Sequence, residues 1–154
     1  MIAPPTTSEL AALAASTFAD TAFLFSEPAA AEATWSGDFL LVEIGFEAEV
    51  RGRLVLAAAP ELATQMAADM LCVDVSDEEA IAHASGALAE LANVLAGVLV
   101  AQIFGPTGHW ALGLPRALRT QTPVLPDQRV LRATLVSDSG HPIRIELVLG
   151  AGPS

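Results

Sequence analysis

The stretch from Ser76 to Phe104 constrains this chain more than any other. It predicts one long helix, with Ile81, Ala84, Leu88, Leu91, Leu95, Val98 and Leu99 forming a core-facing stripe at helical spacing. At about 100° per residue, positions 86, 90, 93 and 97 share a second, narrow stripe. That stripe reads Gly86, Glu90, Asn93, Gly97. Asn in a helix interior costs roughly 0.5 kcal/mol relative to Ala, and each Gly about 1 kcal/mol. An acid and an amide flanked by glycines on a helix that is otherwise apolar are therefore not there for helix stability.

Signals at the two ends support the long helix. Ser76 with Glu79 three residues later is a capping-box pattern, and Asp77, Glu78 and Glu79 suit a helix N-terminus. Gly105, Pro106 and Gly108 stop it.

The rest of the chain reads as α+β. Met1 to Thr7 is a Pro-containing tail, and Ser8 to about Phe23 has a helical pattern. Ser26 to Ala33 is a connection. Asp38 to Phe46 and Glu49 to Ala58 alternate as two strands, joined through Glu47-Ala48 in an antiparallel hairpin. Pro60 opens a helix that runs to about Leu71, since Pro suits a first turn. Trp110 to Leu114 is a short apolar segment that stops at Pro115. Val130 to Val136 and Ile143 to Leu149 form a second hairpin around Ser137-Asp138-Ser139-Gly140. The expected architecture is a mostly antiparallel sheet covered on one face by long helices, in a single domain spanning residues 1–154.

Composition excludes several function classes. The chain is 53% hydrophobic and 16% charged, which is a compact globular composition. Its formal charge is −11; the seven basic residues are all Arg, and none precedes Arg51. That argues against nucleic acid and anionic membranes as partners; it permits steering toward an electropositive patch, and it equally serves solubility alone. Cys72 is alone, so no disulfide framework is expected within the chain and a reducing compartment is. The apolar N-terminus lacks the positive region of a secretory signal. Glu90 and Asn93 interrupt the apolar run that ends at Phe104, so no transmembrane helix is expected.

Few motifs carry chemistry. His83, His109 and His141 have no metal-ligand spacing with Cys72 or with one another, and no metal site is expected. There is no nucleophile elbow, phosphate-binding loop or dinucleotide fingerprint. Trp35 and Trp110 read as core or sheet-edge aromatics. His83 lies near the edge of the Glu90/Asn93 stripe and could line the same surface.

The segment Gly86-Ala-Leu-Ala-Glu90-Leu-Ala-Asn93-Val-Leu-Ala-Gly97 resembles the signature helix of the CheX branch of the CheC/CheX/FliY chemotaxis phosphatases. Pro115, after Gly113-Leu114, stands at about the spacing where that family places a proline. The hairpin, Pro60-Glu61-Leu62 and the helix ending at Met70-Leu71 resemble the segment before the signature helix. The likeness covers roughly Phe39 to Pro115, with the terminal hairpin in outline.

The resemblance implies a cytoplasmic phosphatase that hydrolyses the aspartyl phosphate of a CheY-like receiver domain. Asn93 would orient the attacking water and Glu90 would pair with a receiver lysine. Gly86, Gly97 and His83 would form the partner-binding surface. The chain would need no cofactor of its own, because the receiver carries the Mg²⁺. The first helix has no Glu-x-x-Asn, so a single site per chain is implied, and with it a homodimer. Two departures stand out. Gly86 occupies the place where the family often has Asp or Ser, and Val98 follows Gly97 where Asn is frequent. The first departure supports an alternative, a non-catalytic adaptor that binds a receiver or a motility component on the same fold. A purely structural dimer with the stripe in its interface is a third reading.

Overall fold

The computed structural model describes residues 4–29, 38–106, 108–120 and 130–150. Among the described residues seven strands form one sheet: β1 (Ser26–Pro28), β2 (Phe39–Glu47), β3 (Arg51–Ala58), β4 (Ala111–Leu112), β5 (Arg116–Thr120), β6 (Val130–Ser137) and β7 (Pro142–Leu149). The helices are α1 (Thr7–Ala22), α2 (Pro60–Leu71), α3 (Glu78–Ala82) and α4 (Ala84–Phe104). All strand pairs are antiparallel, in the order β1-β6-β7-β3-β2, and β4 and β5 share the outer edge of β2. The expected α+β architecture is the observed one.

Alternation makes one sheet face apolar. Leu40, Val42, Ile44 and Phe46 of β2 point to it, as do Leu54 and Leu56 of β3, Ala133 and Leu135 of β6, and Ile143, Ile145 and Leu147 of β7. The helices bury this face. α1 contributes Leu10, Ala14 and Phe18, α2 contributes Leu62 and Met66, and α4 contributes Leu88, Leu91, Leu95, Leu99 and Ile103. The opposite face carries the ion pairs, with Arg132 Nε 2.9 Å from the buried Glu146 carboxylate. Packing is tight at the hairpin end of β3. A Cβ on Gly52 would stand 2.4 Å from the Phe46 ring and 2.5 Å from the Val148 carbonyl.

Several sequence expectations shift. Thr6 and Thr7 do not belong to a tail. The Thr6 hydroxyl accepts from Glu9 N–H at 3.2 Å, and the Glu9 carboxylate accepts from Thr6 N–H at 2.8 Å. This capping box starts α1 one residue early, and Pro5 beside it is buried. In the first hairpin Glu49 and Val50 lie in the turn and not in β3. The ladder closes at Glu47 opposite Arg51, whose side chains pair at 3.3 Å. β1 and β5 were not expected at all. Trp35 lies outside the described residues.

The largest correction concerns the long helix. It is two helices, broken at His83, whose backbone sits at φ −98° and ψ 6°. The cause is local. The Glu79 carbonyl accepts the His83 backbone N–H at 3.1 Å and is also 2.8 Å from His83 Nδ1, which must therefore be the donor. Ser and Thr side chains that bond back to an i−4 carbonyl often bend a helix, and the His83 ring makes the same kind of contact at the break. The cap also differs from expectation. Asp77, not Ser76, caps α3, its carboxylate accepting from Glu79 N–H at 2.9 Å. Ser76 instead donates both its N–H and its hydroxyl to Asp74, and these bonds hold the Asp74 carboxyl below its ordinary pKa. Because the bend rotates α3 out of phase with α4, Ile81 is 60% exposed and not in the core. Val98, also expected in the core, is 39% exposed because it borders the polar stripe.

By length and apolarity α4 could cross a bilayer, but half of its most apolar stretch is buried within this fold.

Candidate functional site

α4 holds the candidate residues in place by being buried on nearly all other sides. Leu88, Leu91 and Leu95 are fully buried between Glu90, Asn93 and the sheet. Such burial fixes the helix axis and its rotation, and so the positions of Glu90 and Asn93 relative to each other. Both of these side chains are exposed. Neither has a hydrogen bond or ion pair with another described residue. They stand one helical turn apart on the same flank.

The glycines differ in role. A Cβ on Gly86 would meet nothing within 4 Å, so packing does not demand glycine there. Its lack of a side chain leaves open the approach to Glu90. A Cβ on Gly97 would come 3.9 Å from Leu112 Cδ1. The Gly86/Glu90/Asn93/Gly97 flank therefore looks sideways, over the sheet edge where β4 and β5 run, and not straight out from the helix layer. His83 is exposed at the start of α4, its ring held by the Glu79 carbonyl. The structure thus places all five sequence-derived candidates along one side of α4 and its N-terminal bend.

The sheet-edge wall of this flank was not foreseen. The sequence marked Trp110 to Leu114 only as a short apolar segment. The chain turns back after Gly105 (φ +87°), where glycine tolerates the left-handed backbone, and the Trp110 indole N–H donates to the Gly105 carbonyl at 3.3 Å. Phe46 and Phe104 pack with ring centroids 6.1 Å apart. β4 then pairs with the end of β2, Phe46 opposite Leu112.

Charge is segregated around the site. α1, α2, α3 and α4 carry Glu9, Asp20, Glu61, Asp69, Glu78, Glu79 and Glu90 and no Lys or Arg. The described arginines all lie on strands: Arg51, Arg53, Arg116, Arg119, Arg132 and Arg144. Glu90 therefore has no cation of its own layer to pair with. No three His, Cys, Asp or Glu side chains converge among the described residues.

A long helix laid on an antiparallel sheet, with Glu90 and Asn93 exposed on its flank, is the arrangement to compare with known proteins. Residues 40–128 match the family model of the chemotaxis phosphatase CheX, and the chain belongs to that family. The fold agrees with CheX from Vibrio vulnificus at a TM-score of 0.70 and 17% identity, over 91% of this chain and 95% of that one. It agrees equally, at 0.70 and 16% identity, with a chain of the CheX-CheY-BeF3-Mg²⁺ complex from Borrelia burgdorferi, over 97% and 100%. A putative chemotaxis protein from Desulfovibrio vulgaris Hildenborough gives 0.72 at 13% identity, over 97% and 99%. At these identities the likeness is one of fold. No curated protein matches the chain in sequence.

Proposed function

We propose that this protein hydrolyses the aspartyl phosphate of a CheY-like receiver domain, with Asn93 orienting the attacking water and Glu90 anchoring a receiver lysine. The observation that carries the reading is the pair of exposed, unpartnered side chains on a flank of α4 that Gly86 leaves clear. Family membership and the CheY present in the Borrelia burgdorferi complex supply the partner class.

The chemistry suits these two groups. An acyl phosphate is already activated, so hydrolysis requires a water held in line behind phosphorus. The amide of Asn93 can both accept and donate hydrogen bonds, which is enough to fix a water's orientation. That water attacks phosphorus, the bond from phosphorus to the aspartyl oxygen breaks, and inorganic phosphate and a free carboxylate leave. The remaining demand is positioning and charge. Glu90 supplies positioning through a charge-assisted contact to the receiver. The receiver brings its own Mg²⁺, which offsets charge on the phosphoryl oxygens. The acid-only helix layer favours approach of a cationic patch, and added salt weakens it. The same reading places the protein in the cytoplasm with its receiver, as a homodimer.

The test is phosphate release from a phosphorylated receiver at sub-stoichiometric amounts of this protein. Wild type accelerates release, and Asn93→Ala lowers the turnover on the order of 10²-fold. Asn93→Ala keeps the fold, because the residue is exposed and Ala is the better helix former. Equal turnover by the variant and wild type would sink the mechanism. Gly86, where the family often has Asp or Ser, favours one other reading, an adaptor that binds without turnover. Stoichiometric binding with no catalytic release would identify it.

A further inference from the structure

At the outer edge of β2 the sequence of pairings skips. Leu112 of β4 stands opposite Phe46, and Arg116 of β5 stands opposite Glu43. Between these pairs Gly113, Leu114 and Pro115 face only Ile44 and Gly45, three residues against two. This is a β-bulge on an edge ribbon. Its geometry has identifiable causes. Gly113 N–H donates to the Gly45 carbonyl at 2.8 Å, and a Cβ on Gly113 would come 3.4 Å from that oxygen. Pro115 has no N–H to return the chain to the ladder. Leu114, held between them, is 87% exposed, more than any other large apolar side chain described.

A lone exposed leucine needs no explanation by itself. Leu114 differs in its address. The ribbon runs back along α4 after the reversal at Gly105, and Leu112 has already reached the level of Gly97. From Phe46 to Glu43 β2 advances about 10 Å while the ribbon goes from Leu112 to Arg116, so Leu114 lies about 5 Å beyond Leu112. From Gly97 back to Asn93 the helix spans about 6 Å. Leu114 is thus carried to the level of Asn93, on the sheet edge that the Glu90/Asn93 flank overlooks.

We infer that Leu114 is a specificity-determining anchor for the receiver, an apolar prong beside the polar pair. The inference rests on the docking reading proposed above and adds a residue that has no part in the chemistry. A partner pressed onto the Gly86–Gly97 flank has to pass over this edge, and burying a leucine there supplies apolar binding that Glu90 and Asn93 cannot. The contact is made before and during the reaction alike, so it acts on affinity and not on turnover.

The experiment uses the full chain and the receiver domain of a chemotaxis response regulator from the same genome, activated with BeF3 and Mg²⁺ for binding and phosphorylated for turnover. Leu114→Asp should raise Kd and KM about ten-fold or more and leave kcat within two-fold, while Leu114→Met stays near wild type. Circular dichroism and thermal melting should match wild type, because the side chain is exposed. An unchanged Kd for Leu114→Asp would overturn the assignment. So would a change in sedimentation mass with no change in receiver affinity, since Leu114 would then serve contact between copies. Failure of the phosphatase reading looks different: Asn93→Ala turns over like wild type, whatever Leu114 does.

Discussion

α1 begins with a capping box and α4 begins with a bend. Both helices pack on the same sheet face, yet each obtains its stability differently. α1 satisfies its first orphan N–H groups with Thr6 and Glu9 and keeps its exposed side free of glycine. α4 has no side-chain cap, contains Gly86, Gly97 and Asn93, and leaves Glu90 without a partner among the described residues. Local propensity disfavours α4. Burial against α1, α2, β2 and β3 outweighs it, with ten of its 21 residues buried. A helix stabilised mainly from its buried side can carry on its flank residues chosen for another molecule. A helix that relies more on its own caps has less freedom of that kind.

The contrast can be broken from either end. Leu95→Ala removes a fully buried side chain from α4 and should cost about 2–5 kcal/mol, measured by urea unfolding. The loss should also disorder the flank, so turnover falls with stability, unlike the effect of Asn93→Ala. Thr6→Ala should cost about 1 kcal/mol in the same assay and leave turnover unchanged, because the capping box lies outside the site. A loss of several kcal/mol there would mean that α1 depends on its cap far more than an ordinary N-cap allows. Gly86→Ala sharpens the comparison most. A Cβ there meets nothing within 4 Å, so helix propensity alone predicts a gain of about 0.5–1 kcal/mol. If the gain appears while receiver affinity drops, glycine is present to clear the docking surface. Higher stability with unchanged affinity would leave Gly86 without that role.

Much of the fold was legible in local pattern. α2 runs from Pro60 to Leu71 as read, because proline marks a helix start and the buried stripe repeats cleanly. The terminal hairpin falls within a residue of expectation, since the Ser137–Gly140 turn and strict alternation leave little choice. Of the site, Glu90 and Asn93 were visible as poor helix formers sharing one stripe. The bend at His83 was not visible. It comes from one imidazole reaching a carbonyl four residues back, and no periodicity records that bond. β5 escaped because Arg116 to Thr120 does not alternate as a half-buried strand should; its place is set by pairing with β2.

The sequence by itself determined most of the elements and the pair. Helical spacing marked Leu88, Leu91, Leu95 and Leu99 of α4 as core-facing, and alternation marked the core-facing strand residues, because both periods are properties of the backbone. The tertiary structure decided the direction in which the pair looks. Only the docking of β4 and β5 on the far edge of β2 brings Leu112 against Gly97 and turns the flank toward the sheet edge. That same edge creates the bulge that exposes Leu114. Such a juxtaposition depends on the register between β2 and residues more than sixty positions later in the chain. Register is set by the packing of the whole layer, so no local reading of either segment contains it.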